Sequence, residues 1–207
     1  MVIKNNTVGN NHFHITAGQL IGAKQCPSPN CNARPFMGCT DDYKQNIELL
    51  VIHNISLPAG CFVNNNVESF FLNNLDCSQD DTLAAIEDLQ VSAHLFINRL
   101  GEVTQFVNFD QRAWHAGVSS FNNRENCNDF SIGIELEGTD FEPFEDVQYK
   151  VLAQVSQALQ VAYPKITTNT VTGHNDIAPL RKTDPGPFFD WQKYKTMWNA
   201  ANSEYLT

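Results

Sequence analysis

The sequence predicts a mixed α+β fold in which helices pack on the faces of a β-sheet. Glu48–His53 is a nearly continuous apolar run, which is typical of a strand covered on both faces. Ser131–Glu137 alternates with period two, which is typical of a second strand. Asp146–Tyr163 places apolar residues at helical spacing. Strands that alternate with helices favour a layered α/β arrangement.

The first 45 residues predict an irregular segment, because Pro27, Pro29 and Pro35 interrupt it. Short edge strands are expected at Val2–Ile3 and Gln19–Ile21. In the first core strand, Leu49, Val51 and His53 share one side. His53 is the last residue of this predicted strand, and the chain is expected to turn at Asn54 and the residues that follow.

The middle of the chain predicts a helix and then a hairpin. The spacing of Val67, Phe70, Phe71 and Leu75 predicts the helix. The hairpin consists of strands at Val91–Asn98 and Val103–Val107, joined by a turn at Leu100–Gly101.

The second half supplies another strand and two helices. In strand 131–137, Ile132, Ile134 and Leu136 face one side, and Gly133, Glu135 and Glu137 face the other. The long helix is expected to start at an Asp146 cap and to stop at Pro164. A last helix is predicted over Phe188–Ala200.

Composition excludes several classes of partner. The 207 residues carry 13 basic and 23 acidic side chains, a net charge of −10, which argues against nucleic acid and anionic membranes. The longest aliphatic run, Leu49–Ile52, is too short to span a bilayer, and the polar N-terminus lacks the apolar stretch of a signal peptide. A cytoplasmic location is the resulting expectation.

Six cysteines occur, and free thiols are expected because no export signal is seen. Cys26, Cys31 and Cys39 cluster downstream of His12 and His14. A structural zinc site there is a weaker alternative, since the spacing lacks a C-x-x-C unit.

The stretch Thr172–Pro187 holds His174, Lys182 and Asp184 in one short segment stiffened by proline. His174 and Asp184 are candidate metal ligands, and His53 is the best candidate for the third. Two imidazoles and one carboxylate leave a position open for water, which is typical of catalytic zinc rather than structural zinc.

Amide hydrolysis also needs a proton carrier and a positive group for the oxyanion. Glu135 and Glu137 are both candidates for the proton carrier, and Lys182 is the candidate for the positive group. Each residue also has an ordinary structural interpretation. His53 could be a buried core histidine, Asp184 could open a turn, and the carboxylates and Lys182 could be solvated surface charge.

Five sequence blocks occur together and in order: 51–58, 91–94, 113–119, 127–138 and 172–187. In these blocks the chain resembles the type-2 family of zinc-dependent N-acetylmuramoyl-L-alanine amidases. Within that family it most resembles the cytoplasmic AmpD type, which acts on 1,6-anhydro-N-acetylmuramyl-L-alanine. The resemblance runs from about Gly18 to Tyr194, so an N-terminal arm at 1–17 and a single amidase domain at 18–207 are expected.

The resemblance implies a central mixed sheet flanked by helices, shared with peptidoglycan-recognition proteins. It implies one Zn²⁺ ion held by His53, His174 and Asp184. It also implies Glu135, rather than Glu137, as the catalytic glutamate and Lys182 as the residue that stabilises the oxyanion. Asn54, Trp114 and His115 match positions near the substrate groove.

Two positions depart from the family pattern. Relatives often carry arginine where this chain has Gln90 and Asn126. If those arginines bind a carboxylate of the stem peptide, that binding is altered here, and Arg124 is a candidate replacement.

The expected activity is hydrolysis of the amide between the lactyl group of 1,6-anhydro-N-acetylmuramic acid and L-alanine, in recycling of cell-wall fragments. The expected partner is an anhydro-muropeptide, with no nucleic acid or membrane, and the expected oligomeric state is a monomer. The alternatives are a lytic amidase acting on polymeric peptidoglycan and a muropeptide-binding protein without catalysis.

Overall fold

The computed structural model describes residues 13–35 and 46–205, with side chains up to residue 201. The helices are α1 (Asn66–Phe71), α2 (Asp146–Ala162), α3 (His174–Ile177) and α4 (Trp191–Tyr205). The strands are β1 (His14–Thr16), β2 (Gln19–Ile21), β3 (Lys24–Gln25), β4 (Cys31–Ala33), β5 (Leu49–Ile55), β6 (Leu95–Ile97), β7 (Val103–Gln105), β8 (Gln111–Ala113), β9 (Ser120–Phe121), β10 (Arg124–Glu125), β11 (Ser131–Glu137) and β12 (Val171–Gly173).

Six strands form the central mixed sheet in the order β12-β5-β11-β6-β7-β3. The first four run parallel, β6 and β7 form the expected antiparallel hairpin, and β3 pairs in parallel with β7. The central pair β5 and β11 matches the two strands predicted most clearly from the sequence. The predicted α/β class, a mixed sheet flanked by helices, is therefore confirmed.

The two faces of β5 and β11 have different environments. Ile52, Ile134 and Leu136 on one face pack with α2 and α4 in the main core. Leu49 and Val51 on the opposite face pack against Phe130 and its neighbours. His53 and Glu135 follow on that second face, so the strand alternation carries the polar pair out of the apolar core.

Several predicted boundaries are wrong. β5 spans Leu49–Ile55 rather than Glu48–His53, and β7 ends at Gln105 rather than Val107. The strand expected at Val91–Asn98 is only Leu95–Ile97, because the Ser92 N–H donates to the Trp114 carbonyl outside the sheet. The long helix is capped by Glu145 rather than Asp146, since Gln148 Oε1 accepts from the Glu145 N–H. The last helix begins at Trp191 rather than Phe188, where Asp190 Oδ1 accepts from the Lys193 N–H.

Two other predictions are correct in part. α1 spans Asn66–Phe71, and Leu75 lies beyond it while packing on the same apolar cluster. Gln19–Ile21 is a strand, but it pairs with His14–Thr16 instead of adding to the edge of the central sheet. Val2–Ile3 lies outside the described residues.

The N-terminal segment contacts the domain from Phe13 onward, and Phe13 and Leu20 are buried in the main core. The arm boundary at residue 17 stays a prediction. The five described cysteines are free thiols, as expected. Cys39 and His12, which the alternative zinc site would need, lie outside the described residues. Of the helices in the described ranges, none combines the length and apolar character that a membrane span requires.

Arg34, the residue that follows β4, connects this N-terminal segment to the loop before β11 through hydrogen bonds. Its guanidinium is largely buried and donates to the carbonyls of Phe109, Asn128, Asp129 and Ser131 at 2.9–3.2 Å. Burial lowers the pKa of Arg34 to about 10. Nothing in the sequence pattern indicated this contact, because its partners lie 75–97 residues away.

We expect Arg34→Met to lower the free energy of unfolding by about 2–4 kcal/mol, because it leaves buried carbonyls without donors. Urea denaturation would measure the change. The matched control is Lys165→Met, which removes a half-exposed cation 3.8 Å from Glu48 and should cost less than about 1 kcal/mol. Equal losses in the two variants would contradict this role for Arg34.

Candidate metal centre and catalytic site

The parallel register of three strands brings the candidate site together. His53 on β5 stands level with Glu135 on β11. On the other side of β5, Gly173 pairs with Ile52, so His174, the next residue along the chain, lies beside His53. Asp184 returns to the same point through the segment after α3, where its carbonyl accepts from the Asn175 N–H at 2.9 Å.

Three side-chain atoms converge at this point. His53 Nδ1 lies 3.0 Å from His174 Nδ1 and 2.9 Å from Asp184 Oδ2, and His174 Nδ1 lies 3.1 Å from Asp184 Oδ2. Among the described residues, these three offer ligand atoms that all lie within 4.8 Å of one another, so they could hold a metal ion. The structure thus brings together the three residues that the sequence suggested as ligands.

The donor set fits zinc. The His174 Nε2 atom lies 3.0 Å from the Ala116 carbonyl, which can only accept, so Nε2 carries the proton and Nδ1 presents a lone pair. Two imidazole nitrogens and a carboxylate are ligands that zinc prefers, and tetrahedral zinc keeps its ligand atoms about 3.3 Å apart. The observed separations are within a few tenths of an ångström of that value.

The environment keeps these groups in the form that binds a cation. Burial lowers the pKa of His53 to about 4, so its imidazole is neutral at pH 7. Burial alone would raise the pKa of the Asp184 carboxyl. A hydrogen bond donated by a facing imidazole nitrogen outweighs burial and holds that pKa well below its ordinary range, and a bound cation would take the place of the donated proton. A neutral imidazole and an ionised carboxylate are the states that coordinate metal.

Glu135 lies beside the three atoms and has a strongly shifted pKa. Its Oε2 atom is buried and has no hydrogen-bond partner among the described residues. Burial, and secondarily the charge of Asp184, raise the pKa of Glu135 well above its ordinary value, with Lys182 acting in the opposite direction. A buried carboxyl with a raised pKa is suited to exchange protons near neutral pH.

Glu137, the other carboxylate that the residues left open, has a structural environment. One of its oxygens accepts from the Val63 N–H at 2.7 Å and the other from the Arg99 N–H at 2.9 Å. Both oxygens are therefore used by the backbone, which favours Glu135 as the reactive carboxyl.

A cavity of about 270 Å³ opens above the three convergent atoms. Glu135, Lys182 and Trp114 line it together with an apolar wall that includes Leu57, Phe71 and Leu89. A second, more open groove of about 650 Å³ shares Asn54, Lys182 and Asp184 with it and continues toward Thr139 and Asp140. The site therefore lies where two arms of one cleft meet, one with an apolar wall and one with a mixed lining of polar and apolar side chains.

The three residues suggested for substrate contact all line this cleft, but each also has a partner inside the protein. Asn54 Nδ2 donates to Asp140 Oδ1 at 2.8 Å, and Trp114 Nε1 donates to Asn32 Oδ1 at 2.6 Å. Both ring nitrogens of His115 contact protein atoms: Nδ1 lies 2.9 Å from His53 Nε2, and Nε2 lies 3.1 Å from Ser131 Oγ.

Sequence reasoning did not find the residues that hold the ligand loops. Arg181 Nη2 donates to the carbonyls of Ala116 and Val118 at 2.6 and 2.7 Å, which ties the segment carrying Asp184 to the loop after β8. Asn128 Oδ1 accepts from the backbone N–H groups of His115 and Ala116. The only available signal was that the blocks 113–119 and 127–138 occur together.

The positions that depart from the family pattern are both on the surface. Gln90 is exposed, and Asn126 is exposed with a left-handed backbone, φ 61°. Arg124, the candidate replacement, pairs with Glu48 and lies 3.8 Å above the Phe130 ring. Its guanidinium is already engaged, which argues against the replacement.

Comparison with known proteins agrees with this geometry. A family model described as N-acetylmuramoyl-L-alanine amidase matches residues 43–187. The 1,6-anhydro-N-acetylmuramyl-L-alanine amidase AmpD of Escherichia coli (strain K12) is 51% identical over 183 residues, which cover 88% of this chain and 96% of the relative. The enzyme of the same name from Citrobacter freundii is 49% identical over 193 residues, with 93% and 99% coverage.

A crystal structure of a selenomethionine derivative of AmpD has a similar fold. The TM-score is 0.82 at 49% sequence identity, and the match covers 88% of this chain and 98% of that chain. The predicted resemblance to the AmpD type is therefore confirmed in both sequence and fold.

We expect Glu135→Gln to stabilise the metal-free protein increasingly as pH rises. A carboxyl whose pKa is raised by folding stabilises the folded state at pH values below its ordinary pKa of 4.5. This contribution is lost as the pH rises toward the pKa of the folded state. The ionised, buried Glu135 then disfavours folding, and glutamine removes that effect. Urea denaturation in chelator at pH 4.5 and pH 8 should show a larger gain at pH 8, because this window begins at the ordinary pKa. A gain independent of pH would contradict the raised pKa.

Proposed function

The chain belongs to the N-acetylmuramoyl-L-alanine amidase family and is an amidase of the AmpD type, and from this premise we propose a zinc-dependent activity on 1,6-anhydro-muropeptides. The bond cleaved joins the lactyl group of 1,6-anhydro-N-acetylmuramic acid to L-alanine of the stem peptide. The observation that carries the proposal is the convergence of His53 Nδ1, His174 Nδ1 and Asp184 Oδ2 within 2.9–3.1 Å, beside the buried carboxyl of Glu135.

His53, His174 and Asp184 would hold one zinc ion. When bound, the ion supplies Lewis acidity toward an amide carbonyl and toward water. The protein contributes the fixed positions of the three ligand atoms on β5, at the start of α3 and in the segment after it. His53 and His174 are buried, which limits their motion, and Asp184 is half-buried at the edge of the cleft.

Glu135 moves the proton. Its unpartnered Oε2 takes a proton from the attacking water and returns it to the nitrogen of the departing L-alanine. The raised pKa suits both halves of this transfer, because the same group must accept and then donate near neutral pH.

Lys182 stabilises the negative charge that develops on the carbonyl oxygen. Its ammonium lies on the cavity that Glu135 and the three ligands share, and its charge influences the pKa values of both Glu135 and His53. Lys182 is exposed before substrate binds, and a cation held beside the carbonyl in the occupied cleft contributes much more than the same cation in water.

The two-armed cleft suits an amphiphilic substrate with a sugar on one side of the scissile amide and a peptide on the other. Trp114, fixed by Asn32, offers an aromatic face, and Asn54, fixed by Asp140, offers amide hydrogen bonds. The related AmpD enzymes are named for a 1,6-anhydro-N-acetylmuramyl-L-alanine substrate. This supports a role in recycling of cell-wall fragments, and the proposal places that role in the cytoplasm and assigns it to a monomer.

The direct test incubates the purified protein with an anhydro-muropeptide, and separately with intact sacculi, with and without chelator. Mass spectrometry should show free anhydro-N-acetylmuramic acid and the stem peptide, and chelator should abolish both products. Release of peptide from sacculi at the faster rate would favour a lytic amidase, and binding without cleavage would favour a recognition protein. Either result would contradict the proposal.

Two substitutions test the assigned roles. Glu135→Gln should lower kcat by about 10²–10⁴-fold while zinc content stays at parental level, because the proton carrier is lost and the ligands are intact. Lys182→Met should lower kcat by about 10²–10³-fold. Steady-state kinetics and metal analysis measure both effects.

Glu137→Gln is the matched control for these variants, since that carboxylate only accepts backbone N–H groups. It should keep turnover within about tenfold of the parent if the protein remains folded. Parental turnover in Glu135→Gln, or a larger loss in folded Glu137→Gln, would show that the proton carrier is assigned wrongly.

A further inference from the structure

His115 lies directly behind His53, on the side away from the convergent ligand atoms. His115 Nδ1 is 2.9 Å from His53 Nε2, and the two rings meet edge to face at 87° with centroids 5.1 Å apart. The far nitrogen of His115, Nε2, lies 3.1 Å from the Ser131 hydroxyl. Both polar atoms of the ring are therefore occupied by protein atoms.

The direction of these hydrogen bonds follows from the use of His53 as a ligand. If Nδ1 of His53 presents its lone pair to a metal, the ring proton is on Nε2, which then donates to His115 Nδ1. His115 must consequently carry its own proton on Nε2, and it donates to Ser131 Oγ. The result is a chain of two donated hydrogen bonds that begins at the ligand histidine and ends at a hydroxyl on β11.

The space for the His115 ring is provided by Gly133. A Cβ atom at this position would lie 2.5 Å from both Cγ and Nδ1 of His115, closer than nonbonded atoms approach. Only glycine on β11 therefore lets the ring lie against the strand. This explains the glycine in β11, which the sequence pattern alone left without a reason.

The backbone of this segment is fixed as well. Asn128 Oδ1 accepts from the N–H of His115 at 3.1 Å and from the N–H of Ala116 at 2.8 Å. The Ala116 carbonyl in turn accepts from His174 Nε2 at 3.0 Å. Two consecutive residues, 115 and 116, thus hold the outer nitrogens of both candidate ligand histidines.

We propose that His115 is a positioning residue for the metal centre: it accepts the His53 Nε2 proton and thereby fixes the His53 tautomer and ring orientation. This inference rests on the proposed function. Outer partners of this kind typically contribute 10–100-fold to metal affinity. The role differs from the substrate contact that the family resemblance implied for the same residue.

Two substitutions at position 115 separate hydrogen bonding from packing. His115→Asn keeps an acceptor, because the amide Oδ1 occupies about the place of Nδ1, but it loses ring volume. His115→Leu keeps apolar volume and removes the acceptor. Zinc affinity, measured by titration against a competing chelator, should fall about 10–100-fold in His115→Leu and only a few-fold in His115→Asn.

A second pair of variants perturbs the ring without changing it. Gly133→Ala should displace His115 and weaken zinc binding in the same way as His115→Leu. Gly138→Ala is the matched control, because its Cβ would meet the Phe144 ring at the same 2.5 Å, away from His115. It should leave zinc affinity at the parental value. Unfolding curves in chelator establish that each variant is folded.

The outcomes distinguish this inference from the proposed function. A parent chain that binds no zinc overturns both. A parent that binds zinc, with unchanged affinity in folded His115→Leu or Gly133→Ala, overturns the positioning role alone. A rise in KM for anhydro-muropeptide at unchanged zinc affinity would instead assign His115 to substrate binding. Equal losses in the Leu and Asn variants would reduce its role to packing.

Discussion

The site depends on the register of three parallel strands. Because β12, β5 and β11 lie side by side, the residue that follows β12, a residue near the end of β5 and a residue near the end of β11 meet at one edge of the sheet. A slip of one residue in β5 or β11 would turn His53 or Glu135 toward α2 and into the apolar core. The buried aliphatic residues on both faces of β5 therefore determine where the chemistry lies.

The same packing leaves an unusual electrostatic arrangement. His174 and Asp184 present lone pairs to one point, burial keeps the His53 imidazole neutral, and Asp184 remains ionised. Acceptors that converge in a dry interior repel one another unless a cation lies between them. An outer layer of contacts holds these groups in place. His115 contacts the outer nitrogen of His53, and the Ala116 carbonyl accepts from both His174 and Arg181.

The sequence revealed the parts of this protein that depend on local pattern. Periodicity located β5, β11 and α2, and the residue types and shared segment of His174, Lys182 and Asp184 suggested a metal site. The irregular backbone at 91–94, the Arg34 contacts and the hydrogen bonds of His115 depend on partners far along the chain, which no local pattern encodes. The family resemblance was needed to choose Glu135 over Glu137. The local pattern does not show that the backbone N–H groups of Val63 and Arg99 donate to both oxygens of Glu137.

Anomalous diffraction at the zinc absorption edge, on crystals of the parent chain grown with zinc chloride, tests the central claim most directly. We expect one strong peak at bonding distance from His53 Nδ1, His174 Nδ1 and Asp184 Oδ2. Side chains too far apart to share an ion, or zinc bound only at cysteines elsewhere, would contradict the account.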